Sequence, residues 1–530
     1  MIALALLLCS CRSTTDAVVR GATGARLDET LTRLVPFGLS GTVLVADRDG
    51  VVLHKGYGFA DAAHRTPNRP DTIYDMGSIT KAFTATAIAL LEHDGKLAYT
   101  DTLPKYFDGV PEDKRAITVH QLLTHTAGLV DLTGGDYDKV SREQLVADVF
   151  RAPLVSAPGA AWNYSNAGFS LLAAIIEKVS GKTYEAFMHE RIYDPAGMRH
   201  TGYALPPRVA HRVAHTYTPP VDHGTPLDRL TRSGGAHWVL LGNGGLLTTA
   251  SDLYRFELAL REARIVPREV QQTLFTPRFE DHGETQAYGW FVEAHDGRRA
   301  IMHGGDAPEL GVNADFRHAE DHSLFLTFLG NTRLNGLSPR RGVVPIVDRI
   351  ARGEQVDVVK VVPSTPRSLA AYAGTYSLPD GATIDIRVEH DHLVAGMTGQ
   401  SAIDLFTLQR SENSLAARKK LNERAQKVIE TFDWNTAAAR YGKFLKATLL
   451  GTARRDRGAF LTSIRARFDR GEKVLRFSWE DGKPVTESDD GALPRLDFFS
   501  ESPIRFALER PLWLEHDTTF VFFDLYTAQT

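Results

Sequence analysis

The sequence predicts a mixed α/β protein of the α+β kind. An antiparallel sheet is flanked by helices and interrupted by an inserted all-helical lobe, and a smaller C-terminal β-rich α+β domain follows. Three observations carry this. Strand-like segments open and close the first two-thirds of the chain. Helical apolar spacing broken by Gly/Pro loops fills the middle, from about Leu97 to Leu205. A proline-bearing stretch then separates a further group of short strands.

In chain order, the extreme N-terminus has a short apolar run, Ile2 to Leu8, followed by Cys9, Ser10 and Cys11. It is too short to span a bilayer, which takes about 20 apolar residues, and reads as the core of a secretory signal. Leu8-Cys9-Ser10-Cys11 resembles a bacterial lipoprotein cleavage box, with Cys11 as the lipidated residue. No Lys or Arg precedes the run, and Cys9 is unusual inside such a box, so an ordinary cleaved signal or a frayed terminus is the alternative. The expectation is an exported protein of the periplasm or cell envelope, anchored through a lipid on Cys11.

A helix is expected from about Leu27 to Leu34, then a hairpin of Gly41 to Ala46 and Gly50 to Tyr57 around Asp47-Arg48-Asp49-Gly50. Ser78 to His93 has the composition of a buried helix stopped at Asp94-Gly95. Another helix runs from Ala167 to Val179 and stops at Ser180-Gly181. Strands return at Tyr288 to Ala294, Arg299 to His303, Gly311 to Phe316 and Ser323 to Leu329, before a helix from about Val343 to Ala351. Such an order lets the two ends of the region pair in one sheet.

Beyond it, strands are expected at Tyr372 to Tyr376, Thr383 to Val388, His392 to Gly396, Val474 to Trp479 and Thr519 to Tyr526, with a helix from about Ser414 to Thr448. The expected divisions are 1–25 (leader and spacer), 26–354 (main domain), 355–368 (linker) and 369–530 (C-terminal accessory domain).

Composition narrows the chemistry. The chain's 530 residues exceed the usual size of one domain, and 43% hydrophobic residues suffice for a large core. Lys+Arg total 61 against Asp+Glu 65, a formal net charge of -4, which gives no electrostatic case for nucleic acid. The basic residues near Arg418 to Lys427 and Arg454 to Arg470 alternate with acidic and apolar ones and read as solvated helix faces. Both cysteines lie in the leader, which excludes cysteine catalysis and cysteine-ligated zinc in the body. His211 and His215 are four apart, but Pro206, Pro207, Pro219 and Pro220 mark a loop and no metalloprotease Glu follows. No metal and no cofactor are expected. His125 is expected to be structural, and Gly56-Tyr57-Gly58 is not a phosphate-binding turn.

Three short elements could carry a reaction. Ser78-Ile79-Thr80-Lys81 opens the buried helix, and residues three apart on a helix share a face. The hydroxyl and amine can therefore meet, and a desolvated lysine can activate a serine. Alone, the pattern more often describes a helix cap beside a solvated lysine. Tyr164-Ser165-Asn166 offers a phenol for proton transfer and an amide for a substrate carbonyl. Alone, Asn166 would be a helix cap. His303-Gly304-Gly305 lets a substrate backbone approach closely, and alone would be a turn.

Together, in this order, they resemble the family of serine beta-lactamases, penicillin-binding proteins and related esterases, in its class C and esterase branch. Gly77 to Lys81, Leu122 to Leu129 and Gly244 to Leu253 agree with it, and the likeness covers roughly Leu27 to Ala351. The resemblance implies an acyl-enzyme on Ser78, with Lys81 and Tyr164 sharing the proton in an order the sequence leaves open. Asn166 would orient the substrate. The backbone N–H groups of Ser78 and Asp306, beside His303, Gly304 and Gly305, would hold the oxyanion. True class C enzymes carry Lys where this chain has His303. An esterase or D-peptidase acting on small-molecule or peptide substrates is therefore expected rather than an efficient beta-lactamase. The alternative is a catalytically idle binding or scaffold protein of the cell envelope.

Overall fold

The structure, a computed structural model, describes residues 16–35, 38–218, 221–281, 284–295, 298–332, 339–356, 370, 373–377, 381–389, 392–398, 421–427, 429–430, 434, 442–454, 460–480 and 483–485. The leader through Cys11, most of the expected linker and the expected strand from Thr519 to Tyr526 lie outside these residues. The chain forms two compact units that part near residue 358. Among the described residues no helix is long and apolar enough to cross a membrane.

The first unit is built on a nine-stranded antiparallel sheet. Its order is Val18–Val19, Gly50–Tyr57, Gly41–Asp47, Leu324–Gly330, Val312–Ala319, Arg298–Ala307, Phe291–His295, Glu284–Gln286 and Phe279–Asp281. The N-terminal hairpin closes against the last strand of the unit, with Leu44 opposite Thr327 and Thr42 opposite Leu329. Both faces of this junction are covered. Val43, Leu44, Val45 and Ala46 are all buried, which is why the strand reads as a continuous apolar run rather than an alternating one. Leu44 and Ala46 join the core shared with the helical lobe.

Within that core lie two helices, Thr80–His93 and Asn166–Ser180, the first buried from Thr80 through Leu91. Each ends as expected. Gly95 takes φ +67° and Lys96 N–H donates back to the Leu91 carbonyl at 2.9 Å; Gly181 takes φ +71° and donates to Glu177.

Several boundaries differ from expectation. The first helix starts at Gly21, six residues before Leu27, inside the stretch assigned to the spacer. Gly21 and Gly24 mask its helical pattern. Gly24 is needed because a Cβ there would lie 2.7 Å from the Val52 carbonyl oxygen of the adjoining strand. Phe291–His295 begins later than the expected Tyr288. Arg298–Ala307 runs past His303, so the His-Gly-Gly lies inside a strand and is no turn.

In the second unit, a three-stranded sheet pairs Gly374–Ser377, Thr383–Glu389 and His392–Thr398, and a four-stranded sheet joins Phe444–Arg454, Phe460–Phe468, Gly471–Glu480 and Lys483–Val485. The helix expected to reach Thr448 is overturned: from Phe444 the chain is a strand. The Arg454 to Arg470 stretch is likewise strand over Phe460–Phe468, not a helix face. Ile464, Ala466 and Phe468 are buried while Arg467 is exposed, the period of two that a basic-apolar alternation conceals. Leu421, Ala425 and Ile429, four apart on helical residues, pack against that strand face.

Candidate active site

Met76 leads the chain out of the short strand Tyr74–Asp75 into a single 3-10 turn, Gly77–Ile79, on which Ser78 stands directly before the buried helix Thr80–His93. Gly77 takes φ +52°, a left-handed conformation that favours glycine. Its N–H donates to Asp75 Oδ1 at 2.7 Å, which fixes the turn. Burial pushes the Asp75 carboxyl up to about 6.

One helical turn on, Lys81 is fully buried. Its Nζ donates to Ser78 Oγ at 3.1 Å, to Asn166 Oδ1 at 2.5 Å and to the Asn243 carbonyl at 2.6 Å. The same nitrogen sits 4.8 Å from the centroid of the Tyr164 ring and 5.7 Å from that of Phe169. Hydroxyl, amine, phenol ring and amide, from residues 78 to 166, thus meet around one nitrogen.

The helix cap explains how Asn166 becomes available. Ser165, not Asn166, is the N-cap: its Oγ accepts from Gly168 N–H at 3.0 Å. Asn166 is released to face Lys81, and its Nδ2 donates to Asp131 Oδ1 at 2.9 Å. That bond fixes the amide, leaving Oδ1 toward the amine. Tyr164 is held by His125, whose ring stacks on it at 4.4 Å. His125 Nδ1 accepts from Ser165 N–H at 3.0 Å, so the neutral ring carries its proton on Nε2. The structural part expected of His125 is the part it takes.

On the opposite wall runs the strand with His303, Gly304, Gly305 and Asp306. A Cβ on Gly305 would lie 1.9 Å from the Met76 carbonyl oxygen, so only glycine lets the strand sit beside the Ser78 turn. The Asp306 backbone nitrogen lies 3.0 Å from where a Cβ on Gly77 would be. This brings the Asp306 backbone amide beside the turn that carries Ser78. Gly304 faces the other way: a Cβ there would lie 2.5 Å from the Arg340 guanidinium. That guanidinium bridges Asp306 and Asp315, each at 3.2 Å, and Arg317 pairs with Asp315 at 2.8 Å. His303 is buried, and its Nδ1 bonds the Gly304 carbonyl at 2.6 Å. Burial and the Lys81 charge hold its pKa down to about 3, so the ring is neutral.

Asp131, the Asn243 carbonyl, Asp75 and Arg340 carry no motif of their own and are not found by reading the sequence. The glycine cluster Gly242 to Gly245 is the one signal available for Asn243: a Cβ on Gly242 would lie 2.6 Å from that of Ala173, so this loop must press onto the helix. The weaker candidates have partners of their own. His120 bonds the Tyr288 hydroxyl, His215 pairs with Asp222, and Gly56 packs against the Asn68 backbone.

Such an arrangement can do acyl chemistry: a hydroxyl in contact with a buried amine, with the Asp306 backbone amide beside the serine turn. Comparison with known proteins agrees. The pattern of the family described as Beta-lactamase matches residues 37–341. Penicillin-binding protein 4* of Bacillus subtilis is 29% identical over 392 residues, covering 69% of this chain and 86% of that protein. A penicillin-binding protein from Bacillus halodurans superposes with TM-score 0.52 at 25% identity, over 63% of this chain and 100% of that one. The octameric penicillin-binding protein homologue from Pyrococcus abyssi superposes with TM-score 0.56 over 87% of this chain and 97% of its own, and at 21% identity shares the fold.

Proposed function

The chain belongs to the beta-lactamase family, a superfamily of serine acyl-enzyme hydrolases, and on that premise we propose that it hydrolyses esters, amides or D-amino-acid peptides through Ser78. The observation that carries the proposal is the Lys81 Nζ, buried, 3.1 Å from Ser78 Oγ and 2.5 Å from Asn166 Oδ1. Once it has given up one of its protons, an amine at that distance can take the serine proton. Tyr164, under the same nitrogen, is the second proton carrier. Ser78 Oγ attacks the substrate carbonyl, the amides of Ser78 and Asp306 stabilise the oxyanion, and the proton passes to the leaving group. Water then attacks the acyl-enzyme by the same route.

Neutral substrates suit the electrostatics better than those with a free carboxylate. His303 is uncharged where a class C enzyme has lysine. An esterase or peptidase is favoured over an efficient beta-lactamase. We place the protein in the cell envelope, exported and anchored through Cys11, on its leader alone. The mass of the N-terminal peptide of the native protein tests that point.

The test of the reaction is labelling with a fluorophosphonate probe. The full chain should label and Ser78→Ala should not; equal labelling of the variant removes Ser78 from the mechanism. Short acyl esters, D-Ala-D-Ala peptides and a chromogenic cephalosporin, assayed side by side, should rank in favour of the ester or an uncharged peptide amide.

A further inference from the structure

Glu257, His318 and His322 come from three different places in the chain and meet away from Ser78. Glu257 lies on the helix Ala250–Arg261, His318 near the end of the strand Val312–Ala319, and His322 in the turn before Leu324–Gly330. One nitrogen or oxygen from each lies within 4.8 Å of the others. Glu257 and His318 are only 1% and 2% exposed.

The hydrogen bonding of this cluster is short of donors. His318 Nδ1 bonds the Ala319 carbonyl at 2.9 Å, which puts the ring proton on Nδ1 and leaves Nε2 as a lone pair. That Nε2 is buried and has no hydrogen-bond partner. Glu257 Oε1 contacts His322 Nδ1 at 2.9 Å, while Oε2 is buried and equally without a partner. Two buried acceptors facing no donor are costly, each by about 1–3 kcal/mol. A carbonyl holding Nδ1–H so that Nε2 points inward is how proteins fix a metal-ligating imidazole. His322 is set in place by a left-handed backbone, φ +54°, and its ring lies parallel to that of His318, centroids 4.9 Å apart. Phe275, Phe316 and Trp290 wall His318, which lowers the local dielectric and strengthens any charge held there.

We propose that Glu257, His318 and His322 bind a divalent transition-metal ion of the zinc class, tying the turn at His322 to the helix that carries Glu257. Two imidazoles and one carboxylate suit zinc, cobalt or nickel, whereas calcium and magnesium require oxygen ligands. Bonds of about 2.0–2.2 Å in tetrahedral geometry space the donors about 3.3–3.6 Å apart. The 2.9 Å contact then opens by a few tenths of an ångström and the wider ones close. His322 also lines a cleft of about 780 Å³ whose walls include Asp321, Arg299 and Phe275, and none of Ser78, Lys81, Tyr164, Asn166 or His303. His318 and His322 are four apart but lie on a strand and its turn, and Glu257 is 61 residues before the first of them. The spacing signature of a metal helix is therefore missing from the sequence.

The full-length, tag-free chain, stripped with a chelator, is titrated with zinc chloride by calorimetry and with Co²⁺ by visible absorption. One zinc ion should bind per chain with a dissociation constant of about 1 μM or below, and Co²⁺ should give the intense visible bands of a low-coordinate site. Glu257→Gln and His322→Gln, checked for folding by circular dichroism, should each weaken zinc by at least about 100-fold, since losing even an outer partner of a ligand costs 10–100-fold. No saturable zinc binding by the wild-type chain would overturn the proposal. So would unchanged affinity in either folded variant, which would leave Glu257 and His322 as an ion pair only.

Discussion

Lys81 directs its three N–H bonds at Ser78, Asn166 and the Asn243 carbonyl, and this residue sets what the site can do. Replacing it with methionine keeps the volume and removes the proposed proton carrier. Acylation by a short ester, followed as a stopped-flow burst in Lys81→Met, should slow by about 10²–10⁴-fold, the usual worth of a general base. An unchanged burst would assign the base to another group. Asp75 supplies a test in pH. Its carboxyl is held up at about 6 against an ordinary value of 3.8, so the folded chain binds this proton more tightly than the unfolded chain. Its contribution to stability is greatest below about pH 4, declines as the pH rises to about 6 and is flat above, by up to about 3 kcal/mol. Asp75→Asn keeps an acceptor for Gly77 N–H and removes the titration. The Tm of the variant relative to wild type should therefore rise between pH 4 and pH 7; a constant difference would contradict the shift. His303, neutral with its pKa near 3, should add no inflection to the pH–rate profile between pH 5 and 8, and His303→Gln should leave the profile's shape unchanged.

At the scale of the element, the strand Arg298–Ala307 is held on both sides: Gly305 lies on the Met76 carbonyl, and Gly304 lies under the Arg340 guanidinium. Gly305→Ala must push the strand from the Ser78 turn, and kcat should fall by about 10²–10³-fold, as for loss of an oxyanion donor. Arg340→Ala leaves Asp315, fully buried, with Arg317 alone. Stability should drop by roughly 3 kcal/mol, the lower end for a broken buried pair, read as a fall in Tm. The sequence made the hairpin, the buried helix and its Gly95 stop legible because turn chemistry and all-round burial are local properties. It also exposed Ser78, Lys81, Tyr164 and Asn166, since their motifs keep a fixed local spacing. It hid what depends on distant partners. Ser165 caps the helix and Lys81 and Asp131 hold the Asn166 amide, partners that lie far from it in the chain. The strand at Phe460–Phe468 was masked by the exposed Arg467, and the helix at Gly21 by a glycine required for a neighbour's carbonyl.

At the scale of the whole molecule, every residue around Ser78 belongs to the unit that ends near residue 358. The second unit has its own core, in which Leu421, Ala425 and Ile429 pack on Ile464, Ala466 and Phe468. A chain ending at residue 356 should therefore keep its turnover of a short acyl ester. A loss confined to large substrates would make the second unit a substrate-binding element, and a loss on both would make it part of the catalytic fold. The most direct measurement is peptide mapping by mass spectrometry after rapid acid quench of the full chain with a slowly deacylating ester. An acyl adduct carried by the peptide containing Ser78, and absent from Lys81→Met at the same time point, is the result expected. Turnover with no covalent adduct, or an adduct on a different residue, would contradict it.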